Sequence, residues 1–201
     1  MCIRDSGHTL LLHNMGIATA PALYAKLTFD ATKDLAPIAL AGDVPMILVG
    51  NKNFAPGNIG ELIKVMKNKP GEVTFAHAGV GATSHLCAML VNQTAGTQAT
   101  MVPYKGTGPA LQDVISGNVN VICDQPVATG SHIQAGLLKA YGVATKARLD
   151  TLPNVPTFAE TGLPNFELSV WHGLYAPKGT PAATIERLNN CLLYTSPSPR
   201  D

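Results

Sequence analysis

Three times within residues 73–135 a short apolar run ends in a polar or glycine-containing turn and passes into helical spacing. Val73-Thr74-Phe75-Ala76 precedes Gly79-Val80-Gly81-Ala82-Thr83-Ser84 and a helix carrying Leu86, Met89 and Leu90. Met101-Val102-Pro103-Tyr104 precedes Lys105-Gly106-Thr107-Gly108-Pro109 and a helix with Ala110, Leu111, Val114 and Ile115 on one side, closed by Gly117 as C-cap. Residues 119–123 form a strand ending at Asp124, followed by a short helix near 130–135 and a strand over 139–144. This alternation predicts an α/β fold with a largely parallel sheet.

The flanking segments extend the pattern. Thr9-Leu10-Leu11-Leu12 is a buried strand running into a loop, His13-Asn14-Met15-Gly16, and 37–40 and 46–49 are further strand candidates. Asn58 opens a helix with Glu61 three residues on, a capping-box-like pair, and Ile59, Leu62, Ile63 and Met66 make its apolar face until Pro70-Gly71 ends it. Residues 151–164, with three prolines, form an irregular surface segment. Phe166, Leu168 and Val170 alternate with polar neighbours as a half-buried strand, and Thr180 caps a helix that starts at Pro181 and runs to about Asn190.

Charge excludes some functions. Formal net charge is +1 and basic residues are scattered, so no stripe is available to neutralise phosphates and no nucleic-acid partner is expected. No apolar run reaches the roughly 18–20 residues that cross a bilayer as a helix. Cys2, Cys87, Cys123 and Cys191 fall in no Cys-x-x-Cys or Cys/His cluster, so no metal is expected. Cys87 and Cys123 sit in apolar surroundings and are expected to be buried thiols rather than a disulfide.

The site chemistry rests on the turns. In open α/β sheets ligands bind beyond the carboxyl ends of the strands, where helix N-termini point. Gly79 to Ser84 lets backbone approach a guest, and the amides of Gly81, Ala82, Thr83 and Ser84 with two hydroxyls can hold an anion without a cation. An ordinary strand-to-helix connection accounts for the same residues. Asn14 and the Tyr104-Lys105-Gly106 turn are the candidates for convergence on that anion, and Asp124 either orients a ligand group or caps the next turn. His85, in the first helical turn, is expected to pack rather than act as a base, and Trp171 to fill core. No Ser-His-Asp set, Gly-x-Ser-x-Gly elbow, dinucleotide fingerprint or P-loop can be assembled. No catalytic residues and no cofactor are therefore expected; an α/β enzyme would have to use His85 or Asp124.

Residues 1–6 and 191–201 resemble translated sequencing-adapter read-through and are set aside from the fold expected of the rest.

In order and spacing, several segments resemble the substrate-binding proteins of tripartite tricarboxylate transporters, the Bug type. They are Gly7-His8-Thr9-Leu10-Leu11, Pro21-Ala22-Leu23-Tyr24, Phe29 to Pro37, Gly79 to Leu86, Val102 to Gly106, Leu152 to Thr157, Trp171-His172-Gly173-Leu174 and Ala176 to Pro181. The resemblance implies a type II periplasmic-binding-protein fold of two hinged lobes, one of them incomplete here. It assigns 7–50 and 169–190 to the first lobe and 51–168 to the second. It also implies a periplasmic receptor that captures a small carboxylate and delivers it to the transporter's membrane subunits. The alternative on the same fold is the ligand-sensing domain of a regulator or sensor.

Overall fold

The computed structural model describes residues 9–164 and 166–195; the adapter-like stretch 1–6, with Gly7 and His8, and residues 196–201 of the adapter-like stretch 191–201 lie outside them. In chain order the elements begin with β1 (Leu11–Asn14), α1 (Gly16–Leu23), α2 (Ala31–Asp34), β2 (Leu35–Pro45), β3 (Ile47–Asn51) and α3 (Ile59–Asn68). There follow β4 (Thr74–His77), α4 (Thr83–Ala95), β5 (Thr100–Pro103), α5 (Thr107–Ser116), β6 (Val121–Asp124), α6 (Pro126–Gln134) and β7 (Leu138–Val143). A 3-10 turn (Ala159–Thr161), β8 (Ser169–Pro177) and α7 (Ala182–Thr195) complete the series.

Two compact units result. The second is Val44–Ser169, and the first is drawn from the chain on either side of it. The expected break at Asn51 is displaced, because β3 is hydrogen-bonded to β6 and β7 of the second unit. Residues 47–50 therefore belong with that sheet.

In the first unit a three-stranded sheet has the order β1-β8-β2. β1 runs antiparallel to β8, with Leu11 opposite Tyr175 and Asn14 opposite His172. The expected loop at Gly16 is instead the start of α1. The Asn14 side chain accepts the Gly16 N–H at 2.9 Å, the Met15 carbonyl takes the Ala18 N–H, and Ile17 is buried. Thr180 is not the cap of α7. Its hydroxyl donates to the Pro177 carbonyl at 2.8 Å, while Thr184 and Ile185 give the first helical bonds to Pro181. Nor does α7 stop at Asn190, since no helix breaker intervenes before Pro197. β8 starts at Ser169, so Phe166 and Leu168 precede it. Trp171 is half-buried rather than core.

In the second unit the sheet order is β5-β4-β6-β3-β7. β4 is parallel to β5 and to β6, whereas β3 is antiparallel to both its neighbours. The sheet is thus mixed rather than largely parallel. Central β3 is buried along its whole length, as a strand flanked on both edges and covered on both faces must be. On α3 the expected cap forms: Asn58 Oδ1 accepts the Glu61 N–H at 2.9 Å, and the Glu61 carboxylate accepts the Gly57 N–H at 2.7 Å. Ile59, Leu62 and Met66 are buried, with Ile63 at the edge of that face.

α4 departs further from expectation. Its buried face is built from Cys87, Ala88, Val91 and Ala95, while Met89 and Leu90 are exposed. Small residues let the helix approach β6 closely, and there Cys87 is disulfide-bonded to Cys123 with Cα atoms 6.1 Å apart. The expectation of two separate buried thiols is therefore corrected.

Candidate functional site at the carboxyl edge of three parallel strands

Because β4, β5 and β6 are parallel, their last residues, His77, Pro103 and Asp124, end on one edge of the sheet. The turns leaving that edge are stitched together: Tyr104 N–H donates to the His77 carbonyl at 2.9 Å and Gly106 N–H to the Ala78 carbonyl at 3.2 Å. The starts of α4, α5 and α6 therefore lie along one side of the second unit.

The turn into α4 needs its glycines. Gly79 and Gly81 have φ of +127° and +80°, backbone that residues with a Cβ seldom adopt. Three side-chain and backbone bonds hold the turn. Ser84 Oγ accepts the Ala78 N–H at 2.9 Å, His85 Nδ1 accepts the Gly81 N–H at 3.3 Å, and the Gly79 carbonyl accepts the Ala82 N–H at 3.1 Å. The helix's own ladder begins where Leu86 N–H meets the Ala82 carbonyl at 3.0 Å. The amides of Thr83, Ser84 and His85 precede that first bond and are the open donors of the helix start. Of the residues expected to bind, Gly81 and Ala82 thus spend their amides inside the turn, whereas Thr83 and Ser84 offer theirs outward of it.

His85 follows from this arrangement. An Nδ1 that accepts a backbone N–H carries no proton, and burial together with the neighbouring His77 ring lowers the imidazole's pKa. The two rings lie 4.5 Å apart, centroid to centroid. His77 itself and Thr83 are buried, and His77 Nδ1 and Thr83 Oγ1 have no hydrogen-bond partner among the described residues.

At the neighbouring strand end, Asp124 is buried. Its carboxylate accepts the Thr107 hydroxyl at 2.9 Å and the Gln125 N–H at 2.8 Å. Burial pushes its pKa up; the Gln125 and Thr107 bonds pull the other way. Of the two roles anticipated, Asp124 thus takes the local one, tying the starts of α5 and α6 at the end of β6. Tyr104 turns away in function, because its hydroxyl donates to Asp113 at 2.6 Å and its pKa is pushed up to about 12, chiefly by desolvation. Gly106, with φ of +106°, opens α5 beside Thr107. Asn14 belongs to the first unit, where its side chain caps the turn at Gly16.

His77, Thr107 and the disulfide were missed by the sequence reading. The available signal for His77 was a polar residue at the last strand position before a glycine turn. Among the described residues no three His, Cys, Asp or Glu side chains gather to hold a metal ion.

A mixed α/β unit whose helices start at the carboxyl ends of parallel strands is the architecture of the periplasmic binding proteins among its solved neighbours. The chain belongs to the tripartite tricarboxylate transporter receptor family: the family model described as "Tripartite tricarboxylate transporter family receptor" matches residues 4–200. It is 46% identical over 186 residues to the UPF0065 protein in the TAR-I ttuE-ttuC' intergenic region of Agrobacterium vitis, covering 92% of this chain and 54% of that protein. The structure of the periplasmic binding protein BugD superposes with a TM-score of 0.89 at 38% identity, over 98% of this chain and 66% of BugD. MatC of Rhodopseudomonas palustris, solved with bound malate, gives 0.87 at 36% identity, over 95% of this chain and 65% of MatC. The chain spans a little over half the length of the Agrobacterium relative and about two thirds of the two solved chains.

Proposed function

We propose that the chain is the gripping part of a periplasmic receptor that captures a small carboxylate for the membrane subunits of a tripartite tricarboxylate transporter. The reading is of a carrier, not a catalyst. One observation carries it: the amides of Thr83, Ser84 and His85 stand open at the sheet edge where β4, β5 and β6 end. A helix N-terminus favours an anion by about 0.3–1 kcal/mol when exposed and up to about 2 when partly buried. A micromolar ligand needs about 8 kcal/mol. The remainder must come from further donors along the same edge, the α5 start at Gly106 among them, and from exclusion of water around the guest. MatC, a relative by sequence and fold, holds malate. The Cys87–Cys123 disulfide suits an oxidising compartment outside the cytoplasm.

The test is thermal melting of the receptor, completed to the length of its relatives, against a panel of di- and tricarboxylates. Stabilisation by at least one small carboxylate supports the reading. A melting temperature indifferent to all of them contradicts it.

A further inference from the structure

We propose that the Cys87–Cys123 disulfide is a positioning element for capture: it fixes the start of α4 relative to the end of β6, and the guest's affinity depends on it. The inference rests on the capture reading above. Cys87 stands three residues after Ser84 and four after Thr83, on the same buried face of the helix. Cys123 immediately precedes Asp124, whose carboxylate holds the Thr107 hydroxyl at the start of α5 and the Gln125 N–H at the start of α6. One covalent link thus joins the start of α4 to the residue that ties the other two helix starts.

The rest of α4 does little to fix its position along its own axis. Its N-cap residue, Ala82, makes no side-chain cap, and the turn before it runs through Gly79 and Gly81, both at positive φ. The helix contains no Asp, Glu, Lys or Arg from which an ion pair to a neighbouring element could be built. Its side-chain hydrogen bonds are local: Ser84 takes the Ala78 N–H, His85 the Gly81 N–H and Asn92 the Ala99 N–H. The face it lays on the sheet sets Ala88, Val91 and Ala95 beside Cys87, and such small side chains make few contacts that resist sliding. An amide that must be ordered as the guest arrives offsets part of the gain it gives; one ordered at folding does not. The bridge supplies that prior ordering.

Isothermal titration of the full-length receptor decides the matter, with whichever of succinate, L-malate, glutarate and citrate binds the parent most tightly. Two bridge-free forms are compared with it at a temperature where circular dichroism shows them folded. One is Cys87→Ala/Cys123→Ala; the other is the parent refolded in reductant, which keeps both side chains. Val73→Ala is the control, because Val73 is buried just before β4, at the far end of that strand from this edge, and its truncation weakens the same unit. Both bridge-free forms are expected to bind about tenfold more weakly, the scale of ordering a single backbone residue, while Val73→Ala keeps the parent's Kd. Unchanged affinity in either folded bridge-free form overturns the inference and leaves carboxylate capture standing. So does an equal loss in Val73→Ala, which is an effect of stability alone, and so does a receptor that folds only with the bridge, which is then a folding staple. A parent that binds none of the four carboxylates counts against the capture reading, and this inference falls with it.

Discussion

Cys87, one helical turn inside the start of α4, is bonded to Cys123, the residue before Asp124 at the end of β6. The bridge therefore fastens the helix whose open amides lie at the carboxyl edge of β4, β5 and β6 to the strand that carries the buried carboxylate of that edge. Neither residue reaches solvent.

Removing the bridge should weaken the second unit. The cysteines are 36 residues apart in sequence, and a loop of that length constrains the unfolded chain by about 3–4 kcal/mol. Urea unfolding of the Cys87→Ser/Cys123→Ser double variant is expected to show a loss of that order, and reductant should mimic it in the parent. An unchanged midpoint in both would mean the pair contributes nothing.

Two glycines should respond oppositely to alanine. A Cβ on Gly142 of β7 would come within 2.8 Å of Phe158 Cδ1 and 3.2 Å of the Pro156 carbonyl, and Phe158 is fully buried. Gly142→Ala should cost about 1–3 kcal/mol through overpacking. Gly130 lies inside α6 with nothing within 4 Å of such a Cβ, so Gly130→Ala should stabilise by up to about 1 kcal/mol. Chemical denaturation of the two variants side by side checks both signs.

Much of this was legible because it is local. The Asn58–Glu61 cap, the turn at Gly79–Ser84 and the cap at Gly117 each depend on a few adjacent residues, and each lies where the pattern puts it. What was not legible depends on partners far along the chain. The direction of β3 is set by pairing with β6 and β7, some seventy to ninety residues away, and a period-two pattern carries no direction. The inward face of α4 is decided by how near β6 lies, which promotes Cys87 and Ala88 over Met89 and Leu90. At the site, the donors of Thr83 and Ser84 could be foreseen from a helix start. The orphaned atoms of His77 and Thr83 could not, since an unpaired atom is a property of the surroundings.

Asp124 gives a pH signature. Its folded pKa is raised, so the folded state binds its proton more tightly than the unfolded chain does. The associated stability is full below the unfolded carboxyl pKa and is lost as pH rises through the folded value. Asp124→Asn retains an acceptor for the Gln125 N–H and a partner for Thr107. At neutral pH the variant should be more stable than the parent, and its advantage should shrink as pH falls into the carboxylate range. Melting across pH 3–8 checks the sign; a variant less stable at neutral pH would mean the charge is used by the fold.

Carboxylate capture as proposed puts the guest on the open amides at the start of α4. Backbone amide NMR of the full-length receptor, titrated with whichever carboxylate stabilises it, tests this most directly. The amides of Thr83, Ser84 and His85 should shift downfield together and saturate with the measured affinity. If they stay still while the same ligand binds and moves amides elsewhere, the site has been misplaced.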